Sequence, residues 1–297
     1  DNYSKLDLNM EVIRDKKILL SRLRNGKRWG IVPTMGGLHA GHKGLIDKSV
    51  QENEGTVCSL FVNPTQFNNS ADYNSYPRDW EKDKKYLREW GCDIVFFPSE
   101  QEMYPVAPRI ELNFGRLSSC MEGKSRPGHF QGVSLVLCKI FHLLPPGTRV
   151  YMGQKDWQQC RVVSQLIDDL GFFLDLRILP TVRHPDGLAY SSRNVLLSPK
   201  TRPLASLLYK LLIHGKNMLL GGESLEKVKE KILSSSSESA GFRLDYFEIV
   251  DAYTLEIITF LSEVDQICLA IAGWVDGVRL IDNVLIEGKF GSGTKMS

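Results

Sequence analysis

His39 and His42 stand three residues apart in the stretch Ile31–Ile46, IVPTMGGLHAGHKGLI, which combines a strand end, a glycine turn and a helix start. Leu45, Ile46 and Val50 follow Gly41 at helical spacing, so both imidazoles fall around a first helical turn and share a face. Three chemistries fit such a pair. The rings can be metal ligands, but a zinc site needs a third ligand and a supporting shell, and neither stands nearby in the sequence. They can be ordinary helix caps. Or both can donate hydrogen bonds to a nucleoside triphosphate as charge builds at the α-phosphate during a displacement. A helix that starts directly after a strand adds unpaired N–H groups and a positive dipole end, where a phosphate chain can be held.

Other polar groups admit the same double reading. Lys155 and Asp156 follow one strand pattern and open a helix. In isolation they are a solvated pair; at a strand's carboxyl end the lysine can reach phosphate oxygens and the aspartate can accept from a ribose hydroxyl. Ser191, Ser192 and Arg193 are either a plain turn or a mobile phosphate clamp. Gln66 and Gln159 are uncharged amides able to hold a hydroxy acid. Asp83 is one of several acids on a charged helix, either part of a solvated face or a metal contact.

These residues need a scaffold that gathers them on one edge. Pro33 cannot donate to a ladder, which predicts the end of the first strand there. Before it, Asn9 predicts the cap of a helix running to about Arg24. Further strands are predicted at 56–62, 93–97, 150–152 and 174–179, with helices at 79–90, 130–144 and 156–170. Residues 68–77 read as a polar loop and Arg109–Phe114 as a short extra strand. The run CMEGKSRPGHFQG, residues 120–132, reads as a loop too polar and glycine-rich for a core element.

The alternation predicts an α/β fold with a Rossmann-like, doubly wound, mostly parallel sheet over residues 1–180. Ligands bind such sheets beyond the carboxyl ends of the strands, which selects Thr34–His42, Asn63–Gln66, Gly153–Asp156 and the chain from Thr181 onward. There the pattern changes to two long helices, at 199–220 and 224–234, and strands near 246–250, 267–272 and 278–281. A smaller C-terminal α+β lid domain is therefore predicted over 181–297. Ser234–Ser237 reads as a loop or frayed helix end. Lys295, Met296 and Ser297 look like the lysine motif of some nucleotide-binding enzymes, and their Gly/Ser tail makes this a coincidence.

The totals bound the alternatives. With 297 residues, 42% hydrophobic and 24% charged, and a formal charge of +2, the composition is that of an ordinary globular protein and demands no nucleic acid. The six cysteines lie far apart without a Cys-x-x-Cys and read as reduced core thiols. The most apolar run, Val133–Leu144, is interrupted by Lys139 and His142 and is shorter than the ~18 residues a membrane span needs. A cytoplasmic setting without membrane partners is the default expectation.

Six blocks, VPTMGGLHAGHKGLI, FVNPTQF, YPRD (76–79), MEGKSRPGHFQGV, MGQKDWQQ and DGLAYSSRN, occur in an order and spacing that resemble the pantothenate synthetase (pantoate–β-alanine ligase) family over essentially the whole chain. His-x-Gly-His alone indicates only the wider nucleotidyltransferase superfamily. The resemblance implies ATP-dependent condensation of pantoate with β-alanine through a pantoyl adenylate, with Mg²⁺, releasing AMP and pyrophosphate, in a homodimer. It also implies roles. His39 and His42 would stabilise the phosphates, and Lys155, Ser191, Ser192 and Arg193 would bind the β- and γ-phosphates. Pro33, Thr34, Met35, Gly153, Gln154, Asp156, Val182 and Tyr190 would complete the ATP site. Met35, Gln66 and Gln159 would hold pantoate, Asn63 would sit near the second substrate, and Asp83 would contact magnesium.

Three residues depart from the family pattern: Ala40 replaces an acid, Gln154 a charged residue, and Tyr190 a methionine or leucine. The first two tune local charge, and Tyr190 bears on nucleotide affinity. Two other classes stay in view, a nucleotidyltransferase that leaves AMP or CMP on a phosphorylated acceptor, and a nucleotide-binding module without turnover.

Overall fold

The computed structural model describes residues 10–237, 239–261 and 264–288, so Asn9 and Lys295–Ser297 lie outside the described residues. The first half alternates strand and helix: β1 (Glu11–Ile13), α1 (Lys16–Leu23), β2 (Trp29–Thr34), α2 (Ala40–Glu52), β3 (Gly55–Leu60), α3 (Ser70–Ser75), α4 (Trp80–Glu89) and β4 (Ile94–Phe96). After the short helices α5 (Glu100–Met103), α6 (Arg116–Ser119) and α7 (Met121–Ser125) come α8 (His129–Phe141), β5 (Thr148–Gly153), α9 (Trp157–Asp169) and β6 (Leu174–Leu179). The six strands form one parallel sheet in the order β1-β4-β3-β2-β5-β6. The chain winds outward from β2 to one side and resumes at β5 on the other, so the crevice between β2 and β5 is the topological switch point.

Local chemistry explains the elements. Every residue of β3 is buried, as expected for a central strand covered on both faces. Helix α9 buries Val162, Val163, Leu166 and Ile167 against the sheet. The C-terminal part forms α10 (Leu207–Leu220), α11 (Leu225–Ser237) and an antiparallel sheet of β7 (Phe242–Asp251), β8 (Gln266–Val275) and β9 (Val278–Glu287). Its apolar residues do not form a wholly separate core: Val250, Ala252, Leu255, Cys268 and Ala270 pack in one cluster with Met121, Trp157 and Cys160. Among the described residues no helix is long and apolar enough to cross a membrane, and all six cysteines are unpaired.

Six sequence expectations are corrected. Residues before Arg24 form β1 and then α1, because β-branched Val12 and Ile13 pair with β4 and Asp15 supplies the cap, accepting from Lys17 and Ile18 N–H at 2.7 and 2.9 Å. Strand β2 passes through Pro33 to Thr34; pairing to β5 ends at Ile31, so the proline's missing N–H interrupts no bond on that side. Arg109–Phe114 forms no strand, while α3 and α7 occupy segments read as loops. The serine run continues α11, because the hydroxyls of Ser234, Ser236 and Ser237 donate to the carbonyls three residues back at 2.9, 2.7 and 2.7 Å.

Candidate active site

Beyond Thr34 the chain turns sharply. Thr34 Oγ1 donates to the carbonyl of Ser59 at 2.9 Å and accepts from Gly36 N–H at 3.3 Å. Gly36 and Gly37 adopt φ of 86° and 63°, a region that favours glycine. The buried Asp83 carboxylate holds this turn from α4, one oxygen accepting from Gly37 N–H and the other from Leu38 N–H, both at 2.8 Å. Burial raises its pKa, and these two bonds oppose the rise.

The turn delivers the histidines. His39 caps α2, its Nδ1 accepting from Gly41 N–H at 3.1 Å, while His42 Nδ1 accepts from His39 N–H at 3.3 Å. A ring nitrogen that accepts carries no proton, so each neutral imidazole bears its hydrogen on Nε2. The rings lie 4.0 Å apart by centroid. Desolvation, reinforced by His42 and Lys155, lowers the His39 pKa to about 2. Desolvation also lowers His42 to about 4, against the opposing pull of Asp156. Both are therefore neutral Nε2–H donors at ordinary pH, and the cap itself sets their tautomer.

Across the switch point, Gly153 ends β5 and Lys155 and Asp156 follow in a 3₁₀ turn, with Lys155 Nζ 3.2 Å from Asp156 Oδ1. Ser191–Arg193 close from the C-terminal side. Ser192 Oγ donates to the carbonyl of Gly37 at 3.0 Å, and Arg193 Nη2 lies 3.0 Å from each carboxylate oxygen of Asp72. Tyr190 stacks on His184 at 3.7 Å and lies 6.2 Å from His39. These residues line a cavity of about 660 Å³ whose lining also includes the apolar Phe61, Val133, Val136, Leu137 and Ile140.

This is a cavity able to take a triphosphate at a helix start and a small, partly apolar acid beside it. The sequence profile described as pantoate-beta-alanine ligase matches residues 9–285. The chain belongs to the pantoate–β-alanine ligase family. It is an enzyme of the ligase class.

Family relatives are similar along nearly their full length. The pantothenate synthetase of Thermotoga petrophila is 43% identical over 279 residues, covering 93% of this chain and 99% of that protein. The crystal structure of the pantothenate synthetase from Thermus thermophilus has a TM-score of 0.86 at 40% identity, covering 93% of this chain and 99% of that one. A pantoate–β-alanine ligase from Francisella tularensis, complexed with beta-gamma ATP and β-alanine, has a TM-score of 0.77 at 34% identity, with 93% and 97% covered.

The cavity gathers most of the residues that the family resemblance selects. Pro33, Thr34, Met35, His39, His42 and Gln66 line it from β2, α2 and the turn after β3, and Gly153, Lys155, Asp156 and Gln159 from β5 and α9. Val182, Tyr190, Ser191, Ser192 and Arg193 complete the wall. Three residues stand apart. Gln154 turns away, its Nε2 donating to Asn283 Oδ1 at 3.3 Å. Asn63 is buried and used internally: its amide donates to Gln66 Oε1 at 3.1 Å and the carbonyl of Gly132 at 3.0 Å, while Oδ1 accepts from Thr65 and Tyr104 hydroxyls at 2.9 Å. Asp83 lies outside the cavity lining and holds the turn, both of its oxygens accepting backbone N–H groups, and no group of three metal-ligating side chains exists among the described residues.

Sequence reasoning missed Arg126 and His129, which line the cavity, and Asn283, which supports it. The signal for the first two was a guanidinium and an imidazole in a segment read as loop. Nothing in the sequence around Asn283 links it to Lys155.

Proposed function

We propose that the chain condenses pantoate with β-alanine at the expense of ATP, through a pantoyl adenylate. The observation that supports this reading is one cavity lined by two neutral Nε2–H donors at a helix start together with Lys155, Ser191, Ser192 and Arg193. In the first step pantoate's carboxylate oxygen forms a bond to the α-phosphorus and pyrophosphate leaves with the electrons of the broken P–O bond. His39 and His42 donate to the phosphate oxygens as their charge grows, and the helix dipole acts in the same sense. Lys155 and Arg193 hold the leaving phosphates, which requires Arg193 to exchange Asp72 for ATP.

In the second step the amine of β-alanine forms a C–N bond to the acyl carbon. The C–O bond to AMP breaks with its electrons on the phosphate oxygen, and the nitrogen releases a proton to water. No covalent enzyme intermediate is required, so positioning and fixed dipoles carry the rate. Gln66 and Gln159 orient pantoate's polar groups, with its hydrocarbon against the apolar wall. Magnesium would come with ATP as a hard cation held mainly by its substrate, and would offset the charge that grows on the leaving phosphates.

Three coarser proposals accompany this one. Residues 1–180 carry the nucleotide and pantoate, and residues 181–297 act as the lid. The enzyme works in the cytoplasm. It forms a homodimer, a reading supported by the irregular segment before α6, where Val106 and Ile110 are 71% and 72% exposed. The ligase reading is tested by incubating protein, ATP, Mg²⁺ and pantoate with and without β-alanine and following AMP. Amine-dependent AMP is expected; a stable nucleotidylated acceptor, or no AMP, overturns it.

A further inference from the structure

Arg193 is assigned to the leaving phosphates, yet its guanidinium already has an acid of its own. Nη2 lies 3.0 Å from each oxygen of the Asp72 carboxylate, and the Arg126 guanidinium stands 3.9 Å from the same acid. Among the described residues no other group donates to that carboxylate, and no other carboxylate lies within 4 Å of Arg193.

Two features of the fold make this contact exchangeable. The backbone on the arginine side is fixed: Ser191 Oγ accepts from Arg193 N–H at 3.3 Å, Asn194 Oδ1 accepts from Ser191 N–H at 2.9 Å, and Ser192 Oγ donates to the Gly37 carbonyl at 3.0 Å. Only the side chain of Arg193 need rotate, and the Tyr76 ring, 5.9 Å from its Cζ, keeps it beside the cavity that both residues line. The acid, by contrast, sits on α3, a six-residue helix with no buried residue, and its side chain is 33% exposed. A segment with so little burial moves away easily.

A carboxylate and a phosphate ask the same of a guanidinium, N–H donors and positive charge. The two anions also repel each other, so they cannot share Arg193 at full strength. A triphosphate thus engages Arg193 fully only in the fraction of molecules whose Asp72 has let go, and the apparent affinity falls by that fraction.

We propose that Asp72 is an internal competitor of the triphosphate, holding Arg193 until ATP displaces it and so setting the affinity for ATP below what the phosphate site alone would give. This rests on the ligase reading and adds to it a control on nucleotide affinity. The control acts at the β- and γ-phosphates, so AMP, which lacks them, does not feel it.

The test is equilibrium binding of ATP and of AMP, each with Mg²⁺ and without pantoate. The proteins are wild type, Asp72→Asn, Asp72→Ala, Arg193→Gln and the double variant Asp72→Asn/Arg193→Gln. Asp72→Asn is expected to tighten ATP roughly two- to tenfold, the range for removing a partly exposed ion pair, and to leave AMP unchanged. In the Arg193→Gln background the same substitution is expected to gain nothing, because the two residues act as one coupled pair. Asp72→Ala removes the acceptor altogether and carries the test if the asparagine variant does not fold. Equal or weaker ATP binding overturns the proposal and makes Asp72 an acid that positions Arg193. Equal tightening of ATP and AMP, or a gain that persists without Arg193, also overturns it, since Asp72 would then act by plain repulsion of the nucleotide. Absence of ATP binding by the wild type overturns the ligase reading itself.

Discussion

Asn283 on β9 donates from Nδ2 to the backbone carbonyls of both Gln154 and Lys155 at 2.8 Å. The C-terminal sheet thus holds the loop that presents the lysine to the cavity. The preceding residue, buried Asp282, pairs with Arg183 at 2.9 Å through Nη2, so one strand secures both the lysine loop and the segment leading to Ser191–Arg193. The lysine loop and the serine–arginine segment of the phosphate site are therefore coupled through two adjacent side chains.

Replacing Asn283 by aspartate keeps the shape and turns a shared donor into a charge facing two carbonyls. Asn283→Asp is expected to raise KM for ATP about tenfold, the cost of disturbing a charged contact at Lys155. Aminolysis of supplied pantoyl adenylate, which needs no leaving phosphates, should be unchanged. Equal losses in both half-reactions would show that Asn283 only supports the fold.

His42 offers a cleaner test of electrostatic stabilisation. His42→Ala removes one preorganised donor and is expected to slow adenylation about a hundredfold. It also removes the acceptor for His39 N–H, so a small loss of thermal stability accompanies it. Near-wild-type turnover would refute the donor role.

The neutral histidines make a pH prediction. Burial lowers His39 to about 2, and His42 and His129 to about 4, from an ordinary value of 6.5. Below that value the unfolded chain takes up protons that the folded rings refuse. Stability from this source is whole above the unfolded pKa and declines as pH falls toward the folded values. The urea midpoint should therefore drop between pH 7.5 and 5, and His129→Gln should flatten the drop. A midpoint as high at pH 5 as at 7.5 would contradict neutral rings.

Legibility followed distance along the chain. The strand, glycine turn and helix around His39 and His42 could be read because cap, turn and rings lie within a few residues. The buried run of β3 carries its signal in consecutive side chains. By contrast, β1 is three residues long and depends on β4, with Glu11 opposite Ile94. Glu122 reads as a loop acid until Arg279, 157 residues later, pairs with it. Asn63 and Asp83 have side chains suited to ligand binding, but the fold occupies both with internal donors and acceptors, and no local pattern announces that.

Asp83 separates a metal role from a structural one. If it bound magnesium, Asp83→Asn would shift the Mg²⁺ concentration needed for half-maximal rate. The two backbone bonds lead to a different expectation. An amide can accept at only one of its two positions, leaving either Gly37 or Leu38 N–H facing another donor, at a cost of about 2 kcal/mol for a hydrogen bond to a charged group. The turn would loosen, thermal stability would fall, and KM for ATP would rise because His39 and His42 start from that turn. Magnesium dependence, titrated at saturating ATP, should stay where it was. A shift in magnesium dependence with unchanged stability would restore the metal assignment.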